Sequence, residues 1–361
     1  MQLQIPKHYV GWLSLLVFVS PLSLAKEWAE AAVSGIAMVD YSRFDPQFIE
    51  DGTASDQELD WRKLRFRLKT QFAQNWEAKL SLDVHKSGQI KDAYIKYNMN
   101  DALTIIMGQQ KEPFSMQNLQ SSKNLVNLER SISTEALAPS RGVGISVLGN
   151  RDRAHWHLGY FQDDNAQNST AVTGRLAWAP WYHKKNLLHV GMSFSQRDLN
   201  GAEFRINENL EVYAADSLFE GTRIATDTIS LQSLEFAWQF HGVVLSSEWQ
   251  MSQVTATNDT EYEYEGGYFQ LSYLFSGENR KYKNGVLDDV KLKNNWEGFL
   301  RQSQLTLVNE NKEASIVSAG VNYYATKNLK LKAEMVRAQT TDNNIDSAVG
   351  NAVNVRLEYS F

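Results

Sequence analysis

The final residues of the chain alternate between apolar and polar side chains and end on an aromatic residue. Val353, Val355, Leu357, Tyr359 and Phe361 occupy every second position, with polar or charged residues between them. Successive side chains of a β-strand point to opposite faces, so this segment is predicted to be a strand with one apolar and one polar face. Such a strand fits a sheet that meets an apolar medium on one side and water on the other.

The beginning of the chain has the features of a cleaved export signal. Lys7 and His8 precede an almost wholly apolar stretch over residues 10–24, and Ser23 and Ala25 are the small residues that a signal peptidase requires. An apolar stretch of about 15 residues is too short to span a bilayer as a helix, which needs about 20. We therefore predict a signal peptide over residues 1–25 and a mature domain over residues 26–361.

An exported chain whose last strand ends on an aromatic residue resembles a β-barrel of the Gram-negative outer membrane. Alternating segments recur along the chain, and counting the weaker ones gives roughly sixteen candidate strands of the length that crosses a bilayer. We predict an all-β fold, one transmembrane antiparallel β-barrel located in the cell outer membrane. A soluble sandwich of two sheets is the alternative, but it needs neither the export signal nor the aromatic end.

The connections between these segments fall into two classes. Short polar turns at residues 72–76 and 98–101 are expected at the periplasmic end of the barrel. Five long polar segments are expected to be extracellular or folded into the lumen: residues 45–60, 115–141, 200–227, 282–295 and 340–351.

Composition narrows the classes of function. The mean hydropathy is −0.42, as expected when only alternate residues face lipid. The chain contains no cysteine, which excludes disulfides and thiolate chemistry, and its net charge of −6 gives no support to nucleic-acid binding. Phosphate-cradling glycine loops and the GxSxG and HExxH motifs are absent from the sequence. We predict neither an enzyme nor a cofactor.

Two residue pairs suggest metal binding or acid–base chemistry when taken alone. His155 and His157 share one face of a strand, but the sequence marks no third metal ligand. Asp83 and His85 are expected to point inward beside a basic strand, which favours a salt-linked lumen wall over catalysis.

That basic strand carries a cation at every second position: Lys63, Arg65, Arg67 and Lys69. Near the bilayer midplane each would cost about 2–4 kcal/mol on the lipid face, so the column is predicted to face the lumen. One interpretation is that acids of neighbouring strands (Glu77, Asp83 and Asp92) neutralise it and stiffen the wall. The other is a positively charged track that attracts and passes anions.

Several stretches resemble the phosphate-selective porin O/P family of Gram-negative outer membranes. They are WRKLR at residues 61–65, IKDAYIKY at 90–97, GQQKEPFS at 108–115, LERS at 128–131, ALAPSRGVG at 136–144 and GGYFQLSY at 266–273. The resemblance covers most of the mature chain. It implies a sixteen-stranded barrel, usually trimeric, with a loop at about residues 115–141 folded inward to constrict the pore.

The resemblance also implies an eyelet that contacts the anion. Carried onto this sequence, with Arg65 of the basic column added, the predicted eyelet consists of Arg62, Lys63, Arg65, Asp92, Lys111 and Arg130. Arginine offers a forked set of donors to oxyanions, and lysine offers a compact charge. As a hypothesis, Asp92 accepts the proton of hydrogen phosphate and so distinguishes it from chloride.

The segment 200–227 departs from the family, whose phosphate-specific members line the outer vestibule with arginines from a mid-chain loop. Its cations are only Arg205 and Arg223, against the acids Glu203, Glu208, Glu211, Asp216, Glu220 and Asp227. An acidic mouth repels anions, although salt screens charges beyond about 8 Å.

We predict a porin for passive diffusion of small anions such as phosphate, polyphosphate or chloride. A general, weakly selective or cation-preferring porin is the alternative. The expected partners are outer-membrane lipid, lipopolysaccharide and two further copies of the chain.

Overall fold

The computed structural model describes residues 30–48, 57–85, 88–163, 169–183, 186–343 and 345–361. The predicted signal peptide lies outside the described residues. Within these ranges, sixteen antiparallel strands follow one another round a closed barrel, which confirms the predicted fold. No helix in the same ranges is both long and apolar enough to cross a membrane.

The barrel wall is built from strands in chain order. Its first nine are β1 (Glu30–Phe44), β2 (Gln57–Ala73), β3 (Trp76–Asp83), β4 (Gln89–Asn98), β5 (Leu103–Lys111), β6 (Arg141–Arg151), β7 (Ala154–Asp163), β8 (Thr170–His183) and β9 (Asn186–Phe204). The other seven are β12 (Ile224–Phe240), β13 (Val243–Ala256), β14 (Glu261–Leu274), β17 (Asn295–Leu307), β18 (Lys312–Tyr324), β19 (Leu329–Asp342) and β20 (Ile345–Ser360).

Smaller elements lie in the connections. Two hairpins pair β10 (Asn207–Glu208) with β11 (Phe219–Glu220), and β15 (Tyr282–Lys283) with β16 (Val286–Leu287). Helices α1 (Met116–Leu119) and α2 (Ile132–Leu137) lie between β5 and β6. Single 3-10 turns occupy Pro46–Phe48, Ser122–Asn124 and Val308–Glu310.

The predicted alternation holds along the strands. Outward side chains are apolar and exposed, as at Leu234, Phe269 and Met335. Most inward positions are polar, and the others include a buried apolar cluster with Leu305 and Ile316. Aromatic residues cluster at the strand ends on one side of the barrel. Examples are the pairs Trp76–Tyr97, Trp238–Phe240 and Trp296–Tyr323. This is the aromatic girdle that anchors a barrel at a lipid–water interface.

The aromatic last residue helps to close the barrel. Phe361 follows β20 directly, and its backbone N–H donates to Gly35 O at 3.2 Å while Gly35 N–H donates to Phe361 O at 2.9 Å. A Cβ on Gly35 would lie 2.4 Å from the Phe361 ring, so only glycine lets the ring lie across β1. The ring also meets Phe66 edge-on at 6.3 Å. The terminal side chain therefore covers the seam between the first and last strands.

The two ends of the barrel are distinguished by their connections. Most turns at the end that holds both termini of the barrel are very short, such as residues 74–75, 152–153 and 241–242, which identifies this end as periplasmic. The exception is the long connection over residues 275–294, between β14 and β17. It starts from the periplasmic end, carries the β15–β16 hairpin and folds into the lumen, the second of the two placements predicted for residues 282–295.

The connection between β5 and β6, residues 112–140, crosses the lumen, and we call it the constriction loop. Glu248 of β13 accepts the backbone N–H groups of Met116 and Gln117 at 3.0 and 2.7 Å. Glu334 of β19 accepts the N–H of Leu128 at 3.1 Å. Because these acids hold the loop against β13 and β19, the open lumen lies on the opposite side, along β2 to β7.

Candidate functional site

A cavity of about 600 Å³ lies between the wall formed by β2–β7, the constriction loop and the β15–β16 hairpin. The wall contributes the cations Lys63, Arg65, Arg67, Lys79, Lys111 and Arg141 to it. The loop adds Arg130 and the hairpin adds Lys283. Among the described residues, Asp92, Glu135 and Asp288 are the acids that line it. The cavity therefore carries a strong excess of positive charge.

A β-bulge turns two adjacent basic residues toward the lumen. In the pairing of β1 with β2, Met38 lies opposite Lys63 and Val39 lies opposite Trp61, which leaves Arg62 without a cross-strand partner. Arg62 donates to both carboxylate oxygens of Glu129 at 2.7 Å, and its guanidinium stacks 4.1 Å from the ring centroid of Tyr213.

Glu129 joins the constriction loop to the seam of the barrel. Arg356 of β20 donates to Glu129 at 2.6 Å and also forms a two-pronged ion pair with Asp40 of β1. Burial by itself would raise the pKa of Glu129, but the guanidinium groups of Arg62 and Arg356 outweigh it and hold that pKa below its ordinary value. Arg62 is thus occupied in an anchor beside the cavity instead of lining it.

Two acids neutralise part of the cationic wall. Asp92 accepts from Lys79 at 2.8 Å and from Arg141 at 2.9 Å. Arg65 is paired in the same way with Asp83, at 2.8 Å. The contacts of Arg65, Lys79 and Arg141 therefore agree with the first interpretation given above, in which acids of neighbouring strands neutralise the wall.

Other cations of the cavity have no acid partner. Lys63 donates to Ser122 Oγ at 2.9 Å, and Arg67 makes a long contact with Ser121 Oγ at 3.4 Å. Lys111 donates to the carbonyl oxygens of Asn118 and Gln120. Within the described ranges no carboxylate lies within 4.0 Å of Lys63, Arg67 or Lys111. No carboxylate among the described residues therefore offsets the charge that these groups present to the cavity.

Arg130 fixes the inner face of the constriction loop. It donates to the carbonyl oxygens of Gln117 and Gln120, both at 3.0 Å, and to Glu135 at 3.1 Å. The structure thus brings five of the six predicted eyelet residues to one cavity and leaves Arg62 beside it.

The predicted eyelet set left out four of the lining cations, and one of them, Arg67, was predicted to face the lumen as part of the basic column. Lys79 lies at an inward position of β3, whereas Arg141 is the first residue of β6, and both bind Asp92. Strand alternation identifies Lys79 as inward, because Ala78, Leu80 and Leu82 take the outward positions. Lys283 lies on the inward-folded hairpin, for which alternation along the barrel offers no signal.

The acidic segment 200–227 is less negative than its composition suggests. Glu203 pairs with Arg223 at 2.7 Å, and Glu220 pairs with Arg205. Glu211 binds Arg301 of β17 and accepts the N–H of Ile132 at 2.7 Å. These ion pairs thus occupy three of the six acids of the segment, and one of the three partners, Arg301, comes from outside it.

Glu208 is the half-buried acid of that segment, on β10. Burial raises its pKa to about 8, and the nearby charges of Glu135 and Glu211 add to the shift. At neutral pH it is therefore predominantly uncharged.

The two residue pairs that suggested metal or acid–base chemistry have other partners. His155 Nδ1 lies 2.8 Å from Asn150 Oδ1, and His157 Nε2 lies 2.9 Å from Ser146 Oγ. Asp83 is held by Arg65, while His85 faces Asp60 across 3.9 Å. No group of three potential metal ligands occurs in the part of the chain that the structure describes.

Comparison with known proteins adds the following similarities. The family model described as phosphate-selective porin O and P matches residues 32–361. Porin O of Pseudomonas aeruginosa is 25% identical over 91% of this chain and 88% of its own length. An anion-selective porin from Comamonas acidovorans has a TM-score of 0.62 at 12% identity, covering 92% of this chain and 100% of that one. The outer membrane protein OmpT of Vibrio cholerae, in a trimer form, has a TM-score of 0.65 at 10% identity, covering 93% of this chain and 100% of that one. The two solved structures share the fold.

Proposed function

The chain belongs to the phosphate-selective porin O and P family, and from that premise we propose that it conducts small anions, phosphate among them, by passive diffusion. The observation that carries the proposal is a set of three cations beside the constriction loop, Lys63, Arg67 and Lys111, which have no acid partner among the described residues. Rings of arginine and lysine select for anions in other pores.

The contacts of these cations suit transient binding. Lys63 and Lys111 are positioned by a hydroxyl and by backbone carbonyls, which orient an ammonium group without cancelling its charge. An arriving oxyanion gains charge-assisted hydrogen bonds there. Cations further along the cavity, such as Lys283, offer the next binding position, so that one tightly bound anion does not block the pore.

Asp92 has a positioning role in this proposal. Its two ion pairs hold Lys79 and Arg141 at the cavity wall, and its carboxylate lines the cavity, within which it would accept the proton-bearing oxygen of hydrogen phosphate. The hypothesis that it favours hydrogen phosphate over chloride therefore rests on an acid that two cations already hold in place.

The cation-preferring alternative rested on the acidic segment 200–227. Because Glu203, Glu211 and Glu220 are ion-paired, their negative charge is largely cancelled locally. The unpaired charge that remains at the narrow zone is positive, which favours the anion channel.

We further infer a homotrimer in the outer membrane, reached by export through the signal peptide. The wall is lowest at β3–β7, whose strands have 8 to 11 residues, whereas β9 has 19 and β12 has 17. A low wall suits a side that is covered by two other barrels, while lipid and lipopolysaccharide surround the taller strands. A heat-sensitive species of three times the monomer mass in detergent tests the trimer.

The function is tested by adding phosphate to one channel in a planar bilayer that carries a chloride current. We expect phosphate to reduce the chloride current in a saturable way, because both ions compete for the same cations. A chloride current that is indifferent to phosphate contradicts an oxyanion site in the pore.

A further inference from the structure

The cavity has aliphatic side chains opposite its cations. Lumen-facing positions of a large barrel are expected to be polar. Here Ile106 and Leu148 take inward positions on β5 and β6, opposite Ser146 and Thr104 respectively. Leu119 of α1 and Val286 of β16 line the same cavity. The narrow zone is therefore amphipathic, which a pore for a fully hydrated inorganic ion does not require.

Most of these side chains are separate from the core that fixes the hairpin, and Val286 packs against the edge of that core. Leu287 is 3% exposed and packs with Met116, Leu187 and Val244 in a closed apolar cluster. Leu119, Leu148 and Val286 remain half-buried at the surface of the cavity. The hairpin thus has its own buried anchor, and the apolar lining is additional to it.

The hairpin is held rigidly in the lumen. Asn284 and Gly285 have φ values of 52° and 71°, typical of a type I′ turn, and Gly285 O accepts from Arg175 of β8 at 2.6 Å. A Cβ on Gly285 would lie 2.8 Å from the Ala177 side chain, so the tip touches the barrel wall.

The constriction loop holds the other side of the hairpin. Gln120 donates to Leu287 O at 2.9 Å, and Asn124 donates to Asp288 at 2.5 Å. Val286 is therefore fixed beside the ion path by both the wall and the loop.

Resting on the anion channel proposed above, we propose that its solutes are organic anions, whose charged head binds the unpaired cations and whose short aliphatic or aromatic tail contacts Leu119, Leu148 and Val286. The tail displaces water from these side chains, which stabilises the bound solute by the hydrophobic effect. An inorganic anion binds the same cations without this contribution. The apolar lining thus sets a preference among anions.

The test measures how strongly straight-chain carboxylates reduce the chloride current of a single channel at constant KCl. We expect the half-blocking concentration to fall from acetate through propionate and butyrate to hexanoate, by up to about fourfold per methylene, the factor that corresponds to about 0.8 kcal/mol for a fully buried methylene. Monobutyl phosphate compared with inorganic phosphate shows whether the preference also holds for a phosphate head.

Two variants assign the effect to the lining. Val286→Thr keeps the side-chain shape but adds a hydroxyl, and it should flatten the dependence on chain length. Leu148→Thr tests the same point from the barrel wall if the hairpin variant does not fold. Lys283→Gln is the matched control, because Lys283 lies opposite Val286 in the hairpin. It should weaken block by every carboxylate by one common factor and leave the chain-length dependence unchanged.

An anion-selective channel that all carboxylates block equally overturns this inference and leaves the proposed function intact. The same holds if both threonine variants keep the full chain-length dependence. A channel that conducts cations and no anion overturns the proposed function itself.

Discussion

Replacing Lys63 by glutamine removes one unpaired charge from the narrow zone. Lys63 is 8% exposed and donates to Ser122 Oγ at 2.9 Å, and glutamine is long enough to keep a polar contact there. Lys69 on the same strand is the matched control. It forms an ion pair with Glu77 at 2.6 Å, and its side chain is 61% exposed.

The size of the effect follows from Coulomb's law. An anion 4 Å from an ammonium group gains about 1 kcal/mol at the dielectric constant of water and about 4 kcal/mol at an effective value of 20. The lumen lies between these limits, because Lys63 is largely buried while the solute is hydrated. A loss of 1 kcal/mol weakens binding about fivefold, so Lys63→Gln should raise the half-blocking concentration of phosphate at least about fivefold.

The assay is phosphate block of the chloride current through single channels of each variant. Lys69→Gln should change the half-blocking concentration by less than about twofold, because Lys69 is paired with Glu77 and its exposed charge is screened by salt. Heat-induced unfolding in detergent confirms that both variants form barrels. Equal effects of the two substitutions, or an unchanged value for Lys63→Gln, refute the reasoning that an acid partner decides which cation binds solute.

Three further substitutions test the surrounding contacts. Glu129→Gln breaks a buried ion network, so the free energy of unfolding in urea at pH 7 should fall by about 3–5 kcal/mol; an unchanged value contradicts the anchor. Because the pKa of Glu129 is held below its ordinary value, this stabilisation is fully present above about pH 4.3 and lost as the pH falls further, so the variant should lose less stability in acid than the wild type. Asp92→Asn leaves Lys79 and Arg141 without their acid, so the ratio of chloride to potassium permeability should rise; an unchanged ratio contradicts the neutralisation of these two cations by Asp92. Glu208 gains its charge as the pH rises through about 8, so chloride conductance should fall between pH 7 and 9, and Glu208→Gln should reduce that fall; identical profiles contradict the effect.

Strand alternation made the barrel predictable from sequence. Each strand repeats the two-faced pattern of the last one, and the terminal Phe361 signals closure against β1. The inward direction of Lys63 and Arg65 follows from the same rule, because the cost of charge in lipid leaves one choice. The direction of these side chains can therefore be predicted from the local sequence alone.

The division of the cations into paired and unpaired ones depends on contacts between distant residues. Arg62 and Lys63 are neighbours in sequence, yet one binds Glu129, 67 residues away, and the other has no acid partner among the described residues. Counting the acids of segment 200–227 overstates its charge for the same reason, since the partner of Glu211 is Arg301, 90 residues further on.

The placement of the β15–β16 hairpin depends on the number of strands that precede it. The composition of a polar segment does not show whether it starts from the periplasmic or the extracellular end of the barrel. That follows only from the number of strands before it. Its Asn284–Gly285 pair marks a type I′ turn but not the surface that the turn meets.

The central claim, a pore that favours anions, is tested most directly by the zero-current potential of the purified protein in a planar bilayer under a KCl gradient. A potential of the sign set by chloride is expected, since Lys63, Arg67 and Lys111 face the narrow zone without acid partners among the described residues. A potential of the sign set by potassium, or none, would contradict the claim and assign control of selectivity to the acidic mouth.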